Sequence, residues 1–327
     1  MAEVCVVHLV RAQNGLGPFH NFIQSYRCHP AGMEHDLLVI FKGFSNTAAI
    51  SDYEVLLQDL PHRKQFVRDT GYDITAYLRA SENSNHAYFF FLNSFSVILG
   101  DGWLRKVFLH AQRPDVGLAG ATGSWMSLYS GVLHEQGKPN AYNHILGLVT
   151  RPRTFELSTE LAEYIQKMPP LRRWLWQIYY YGVVGIYYRI INSLRFYFAD
   201  KRRWRGITAE NYEEFPTPHL RTNAFMVSRD LIARLQVGRI RTKNDAHRFE
   251  SGKKSLTKQI LAMGLKVVVV GRDGLAYEKE EWPQSETFLI GDQRNLLVSD
   301  NQTRRYAEAS PEMKAIWSRL AWGDAAE

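Results

Sequence analysis

Residues 86–125 read HAYFFFLNSFSVILGDGWLRKVFLHAQRPDVGLAGATGSW. The aromatic-rich apolar run Ala87–Leu92 predicts a strand, and it ends in the small polar cluster Asn93-Ser94-Phe95-Ser96. A Gly-Asp-Gly-Trp turn at 100–103, an amphipathic helical stretch and a second apolar run, Val116–Ala119, follow. Short apolar runs that alternate with helical periodicity describe strand–loop–helix units. In open sheets built from such units, ligands sit just beyond the carboxyl ends of the strands. Asn93–Ser96 therefore occupies a place where a site is expected.

The same alternation runs upstream. Val4–Val10, Asp36–Phe41 and Gln65–Val67 read as strands, and Pro18–Arg27, Ile50–Asp59 and Ile74–Ser81 as helices. This order predicts an α/β fold with a mostly parallel sheet flanked by helices. Gly15, Gly17 and Pro18 punctuate the first strand-to-helix turn, where a nucleotide commonly docks. They do not complete a GxGxxG, so dinucleotide binding is weakly supported. Downstream, Arg229–Leu235 and Ser255–Met263 read as helices, Lys266–Val270 as a buried strand, and 291–322 as polar and then helical.

At 327 residues the chain can bury a substantial core. The formal charge is +7, and its location is more informative than its size. Between Leu171 and Arg205 eight basic residues face Asp200 alone, which accounts for the whole excess. A nucleic-acid binder usually spreads its basic face over the fold, so no nucleic-acid partner is expected. Cys5 and Cys28 have no metal-type spacing and fit a reducing, cytoplasmic compartment. The N-terminus MAEVCVVHLVRA lacks a basic n-region and reads as the first strand.

Trp174–Tyr188, WLWQIYYYGVVGIYY, carries no charge over fifteen residues and is flanked by arginines. A spanning helix needs roughly 20 apolar residues. Five tyrosines and two tryptophans match an interfacial belt instead. The expected arrangement is a helical insertion at 151–215 whose segment 171–205 lies on an anionic membrane surface. A core helix pair with a solvated basic face is the alternative. Residues 1–150 and 216–327 would then form the two halves of the α/β fold.

The strand, the polar cluster, the Gly-Trp-Leu helix and the following strand resemble the middle of a GT-A glycosyltransferase, in the manner of bacterial enzymes for polysaccharides of the rhamnan type. Asp69-Thr70-Gly71-Tyr72-Asp73 is similar to that family's N/D-x-G-x-D turn, and Asn244–Gly252 with the helix after it to the element carrying the catalytic carboxylate. The resemblance implies a nucleotide-sugar donor, a lipid-linked or polysaccharide acceptor, and a peripheral place on the inner membrane face. It implies donor contacts at Arg11, Lys42, Asp69, Asp73, Asn93, Ser94 and Ser96. It also implies a general base at Glu250, just before a helix, with Asp245 as second choice and an inverting displacement. An Asx-type turn at Asp69–Asp73 and a helix-dipole charge at Glu250 are the plainer readings.

The sequence departs from the family where the metal is held. The acidic pair would fall at Asn93 and Phe95 or at Ser94 and Ser96, and no carboxylate is there. Neutral oxygens alone are poor ligands for Mg²⁺ or Mn²⁺. No metal residue is therefore assigned, and three alternatives stand. Arg11, Lys42, Arg221 or Arg272 supplies the positive charge, Asp101 reaches in as a ligand, or the chain is a non-catalytic scaffold that only binds. The stretch Pro218–Phe225 reads as a lining loop, with Arg221 and Asn223 as acceptor or phosphate contacts, His219 as such a contact or simply a loop histidine, and Trp125 as a platform for a sugar ring or a core side chain. The donors and acceptors of 291–304 read either as a sugar-recognition loop or as a capped, solvated one.

Overall fold

The computed structural model describes residues 2–135, 138, 140–145, 169–172 and 206–326. The chain divides into two compact units, Met1–Leu146 with Thr208–Glu327, and Gly147–Ile207. Of the second unit only 169–172 and 206–207 are described. The Trp174–Tyr188 run, the expected helix Thr154–Gln166 and nearly all of the basic segment 171–205 lie outside the described residues. No helix among the described residues is long and apolar enough to cross a membrane.

The first unit opens with β1 (Val4–Arg11), α1 (Leu16–Cys28), β2 (Asp36–Lys42), α2 (Ser51–Leu57), β3 (Arg63–Val67), α3 (Tyr72–Glu82) and β4 (Tyr88–Leu92). Then come β5 (Val97–Ile98), α4 (Trp103–Ala111), β6 (Val116–Gly120) and β7 (Gly123–Ser124). After the second unit come β8 (His219–Leu220), which pairs with β7, then β9 (Ala224–Ser228), β10 (Lys266–Val270) and β11 (Ala276–Tyr277) of the main sheet, and β12 (Val298–Ser299). The eight-stranded sheet has the order β11-β10-β6-β9-β4-β1-β2-β3. β1 pairs in parallel with β2 and β4, β2 with β3, and β6 with β10. β9 runs antiparallel between β4 and β6, and β11 closes the other edge antiparallel to β10. The protein is thus an α/β fold on a mostly parallel sheet, as the alternation predicts.

β1 is buried on both faces, which is why VCVVHLV shows no polar alternation. Its period-2 geometry sends Val4, Val6 and Val10 to one layer with Phe19, Phe22, Trp103 and Val107. Cys5, Val7 and Leu9 join the other, with Ile74, Tyr77 and Phe249. α4 buries Trp103, Leu104, Val107, Phe108 and Ala111, one stripe at helical spacing. His8 occupies the first layer with no exposure, stacked 3.6 Å from Phe22 at 3°. Neither of its ring nitrogens has a partner, and burial lowers its pKa to about 3, so it is neutral.

β9 is the element that shapes the site. Its register sets Ala224 beside Leu92, so the residues just before it meet those just after β4. The expected lining loop Pro218–Phe225 is in fact a short strand, a turn and the start of this antiparallel strand.

Candidate functional site

β1, β2 and β3 deliver their carboxyl ends to one cleft of about 430 Å³, lined by Arg11, Lys42, Asp69–Tyr72, Ile240 and Arg241. Arg11 is the last residue of β1 and Lys42 the last of β2. Asp69 follows β3 on the loop into α3. Its carboxylate accepts from Arg11 Nη2 at 3.0 and 3.3 Å, and Lys42 Nζ is 3.7 Å from Oδ1. Gly43, at φ +79°, lets the chain after β2 pass Asp69; a Cβ there would lie 3.1 Å from the Asp69 Cβ. Gly71, at φ +71°, starts α3, and a Cβ there would lie 2.2 Å from Thr75 Oγ1, so only glycine fits this turn.

Lys42 is 1% exposed, and burial lowers its pKa against the pull of Asp73 and Asp69. Half-buried Asp73, in the first turn of α3, has its pKa raised by burial. Lys42 and Arg11 oppose that rise, and Glu250 and Asp69 reinforce it. The four donor-side charges expected from sequence therefore act on one another in one place.

The cluster beyond β4 is a closed turn. Asn93 Oδ1 accepts from the Phe95 amide at 3.0 Å and from Ser96 Oγ at 3.1 Å, and the Asn93 amide donates to Asn223 O at 2.9 Å. Ser94 and Ser96 are buried. Asn223 Oδ1 accepts from Thr122 Oγ1 at 2.7 Å, while its buried Nδ2 has no partner. The Asn93 side-chain oxygen is already occupied by two donors, and no carboxylate adjoins it. Among the described residues no three His, Cys, Asp or Glu side chains converge as a metal site. The donor set at this turn does not fit a divalent cation.

Two of the suggested substitutes for a metal are engaged elsewhere. Arg221 Nη2 donates to the buried Asp300 carboxylate at 2.8 Å, and its guanidinium lies 4.2 Å from the Phe288 ring centre. Arg272 donates to Leu99 O. Asp101 accepts from His29 Nδ1 at 2.7 Å, away from the turn at Asn93. Arg11 and Lys42 are the remaining cations of the four.

Glu250 precedes the helix Leu256–Ala262 and is itself helical. It lies in the last turn of the helix Lys243–Ser251, where the helix dipole disfavours a carboxylate. One oxygen accepts the Thr222 amide at 2.9 Å. Its charge raises the pKa of Asp73, and also opposes the lowering by burial of His219 and His247. Asp245 is instead the N3 member of a capping box with Thr242. Burial works against its charge, but the Thr242 and Arg241 amides, the Thr242 hydroxyl and Arg248 bring its pKa to about 2. A group this acidic and this fully bonded is a poor proton acceptor at neutral pH.

His219 is buried in β8, its Nδ1 2.8 Å from Thr217 O, and burial keeps it neutral. Trp125 is half-buried. Its Nε1 donates to Lys279 O at 2.9 Å, and its ring meets Trp322 edge-on at 5.7 Å. Both side chains are engaged within the fold, the plainer of the two readings open for each. The residues of 291–304 mostly bond within the fold: Asp300 caps the helix Asn301–Ala307, and Asn295 bonds Asp273. Sequence reasoning passed over Ile240 and Arg241. Their signal was Arg239-Ile240-Arg241-Thr242-Lys243, a basic run overshadowed by 171–205.

No family model matches this sequence, and no curated protein matches it. Among solved structures, a mannosyltransferase from Pyrobaculum calidifontis, in complex with GDP-Man and Mn²⁺, is 13% identical, with a TM-score of 0.29 over 36% of this chain and 34% of that one. S. aureus TarS is 11% identical, with a TM-score of 0.30 over 36% of this chain and 21% of that one. The chain spans about a third or less of the length of either.

Proposed function

We propose that this chain is a glycosyltransferase of GT-A type that moves a sugar from a nucleotide-sugar donor to a lipid-linked or polysaccharide acceptor. One observation carries the reading. Arg11, Lys42 and Asp69 line a cleft where parallel strands present their carboxyl ends, the usual ligand position of such sheets, and Asp73 at the start of α3 acts on Lys42. Arg11 and Lys42 would offset the diphosphate charge, and Asp73 would accept a hydrogen bond from the base or ribose. Glu250, whose field reaches Asp73, would take the proton of the acceptor hydroxyl. That oxygen attacks the anomeric carbon, the nucleoside diphosphate leaves from the opposite face, and the configuration inverts. The peripheral place on the inner membrane face, through 171–205, belongs to this proposal.

The test is nucleotide release from UDP-, GDP-, dTDP- and CMP-sugars, with Mn²⁺ or Mg²⁺ and with EDTA. Release from one donor supports the reading and names the donor. Glu250→Gln keeps an oxygen for the Thr222 amide, so it should abolish transfer and leave donor binding in place. Full activity in that variant would refute the base assignment. A second reading, a binding protein without catalysis, is favoured by the internally satisfied Asn93–Ser96 turn. Donor binding with no turnover under any acceptor would support it.

A further inference from the structure

The cleft contains a cation without an adequate partner. Lys42 is 1% exposed at its wall, yet its nearest carboxylate oxygen is 3.7 Å away, beyond hydrogen-bond distance. Burying an ammonium with its donors unspent is costly unless a ligand completes them. Arg241, which also lines the cleft, is exposed and, among the described residues, forms no side-chain ion pair. α3 points its N-terminus into the same space with no side-chain cap, and uncapped helix amides favour anions. Everything unspent in the cleft asks for negative charge.

Asp73 and Asp69 both pull on Lys42, and of the two Asp69 is the one that forms an ion pair with it. Asp69 is 43% exposed on a loop, held by Arg11 and set short of Lys42. We propose that Asp69 is an internal stand-in for a ligand anion. It occupies the cation pocket of the empty cleft, and a diphosphate-bearing ligand displaces it to bind Lys42, Arg241 and the start of α3. This deepens the glycosyltransferase reading, but needs only that the cleft bind a diphosphate. It also reverses the role expected for Asp69, because a competitor and a ligand contact respond oppositely to removal.

The experiment is calorimetric titration of the full chain with inorganic pyrophosphate. Asp69→Asn keeps the side-chain shape and removes the competing charge. Binding should tighten about fivefold, the worth of a partly exposed ion pair. Lys42→Met should weaken binding about thirtyfold, as loss of a charged hydrogen-bond donor does. Arg241→Ala, a surface change that keeps the fold, should weaken it a few-fold. Unchanged or weaker pyrophosphate binding in Asp69→Asn overturns the proposal, as does wild-type affinity in Arg241→Ala with Lys42→Met also unaffected. The parent reading is separable. Pyrophosphate binding that follows this pattern without nucleotide-sugar turnover upholds the stand-in and defeats the transferase. Turnover that falls in Asp69→Asn, with pyrophosphate binding no tighter, does the reverse.

Discussion

The Arg221–Asp300 pair gives the sharpest prediction about what holds the site in shape. Arg221 Nη2 and Asp300 Oδ2 are 2.8 Å apart, with side chains 8% and 1% exposed. Asp300 also caps the helix Asn301–Ala307 through the Gln302 and Thr303 amides. Asp300→Asn can keep the cap but leaves a guanidinium buried without its counter-charge. Removing one partner of a buried pair costs about 3–5 kcal/mol. The Phe288 ring at 4.2 Å stays against the guanidinium in both proteins and cancels from the difference. The expected loss is about 3 kcal/mol, the lower end of that range, and Asp300→Ala should lose about 1 kcal/mol more with the cap. For a chain of this size the first loss lowers Tm by about 4 °C.

Urea unfolding followed by tryptophan fluorescence measures it. Replacing both residues, Arg221→Met with Asp300→Leu, should recover much of the loss, since no charge is then stranded. A change below about 0.5 kcal/mol in Asp300→Asn, as for an ordinary surface substitution, would refute a desolvated pair and return Arg221 to the candidate phosphate ligands. The pair also sets a pH signature. Burial opposes the charge of Asp300, but Arg221 and the capping amides hold its pKa below the usual value. Its contribution is therefore complete above the unfolded carboxylate pKa of about 3.9 and is lost as pH falls through the lower folded value.

Two further outcomes are expected. His8 has a folded pKa of about 3 against 6.5 for the free side chain, so the unfolded chain binds a proton that the folded one excludes. Stability should be full above pH 6.5 and fall by up to about 1.4 kcal/mol per pH unit toward pH 3. His8→Leu should remove that slope in urea midpoints measured against pH, and an unaltered slope would reject His8 as its source. Asp245→Asn should cost about 1 kcal/mol through the weakened capping box. Nucleotide release should stay within about twofold of wild type, because no step of this size is attributed to a capping carboxylate; a loss of several orders of magnitude would restore Asp245 as the base.

Much of the sheet was legible because parallel strands are buried on both faces and announce themselves as apolar runs. Val4–Val10, Asp36–Phe41 and Lys266–Val270 were found to within a residue at either end. The charges Arg11, Lys42, Asp69 and Asp73 were named through the resemblance, and not through periodicity. Each lies at or shortly after a strand end. Glu250 was harder. NDAHRFES has few apolar residues, and its helix is settled by the Thr242 capping box and by Phe249 packing in the core. Arg221 and Trp125 look like ligand-binding residues in a one-dimensional reading. Their partners, Asp300 and Lys279, are 79 and 154 residues away.

Local sequence determined the class of fold, the succession of its elements and the polar cluster that ends β4, since periodicity and turn chemistry act within a few residues. Only the tertiary structure decided which charges remain available. β9 enters antiparallel between β4 and β6 from beyond the second unit, and it brings Asn223 against Asn93. Long-range packing also pairs Arg221 with Asp300, while Lys42 at the end of β2 is set 3.7 Å from Asp69. Whether a charged side chain is spent or free depends on what folds against it, and that information is spread over the whole chain.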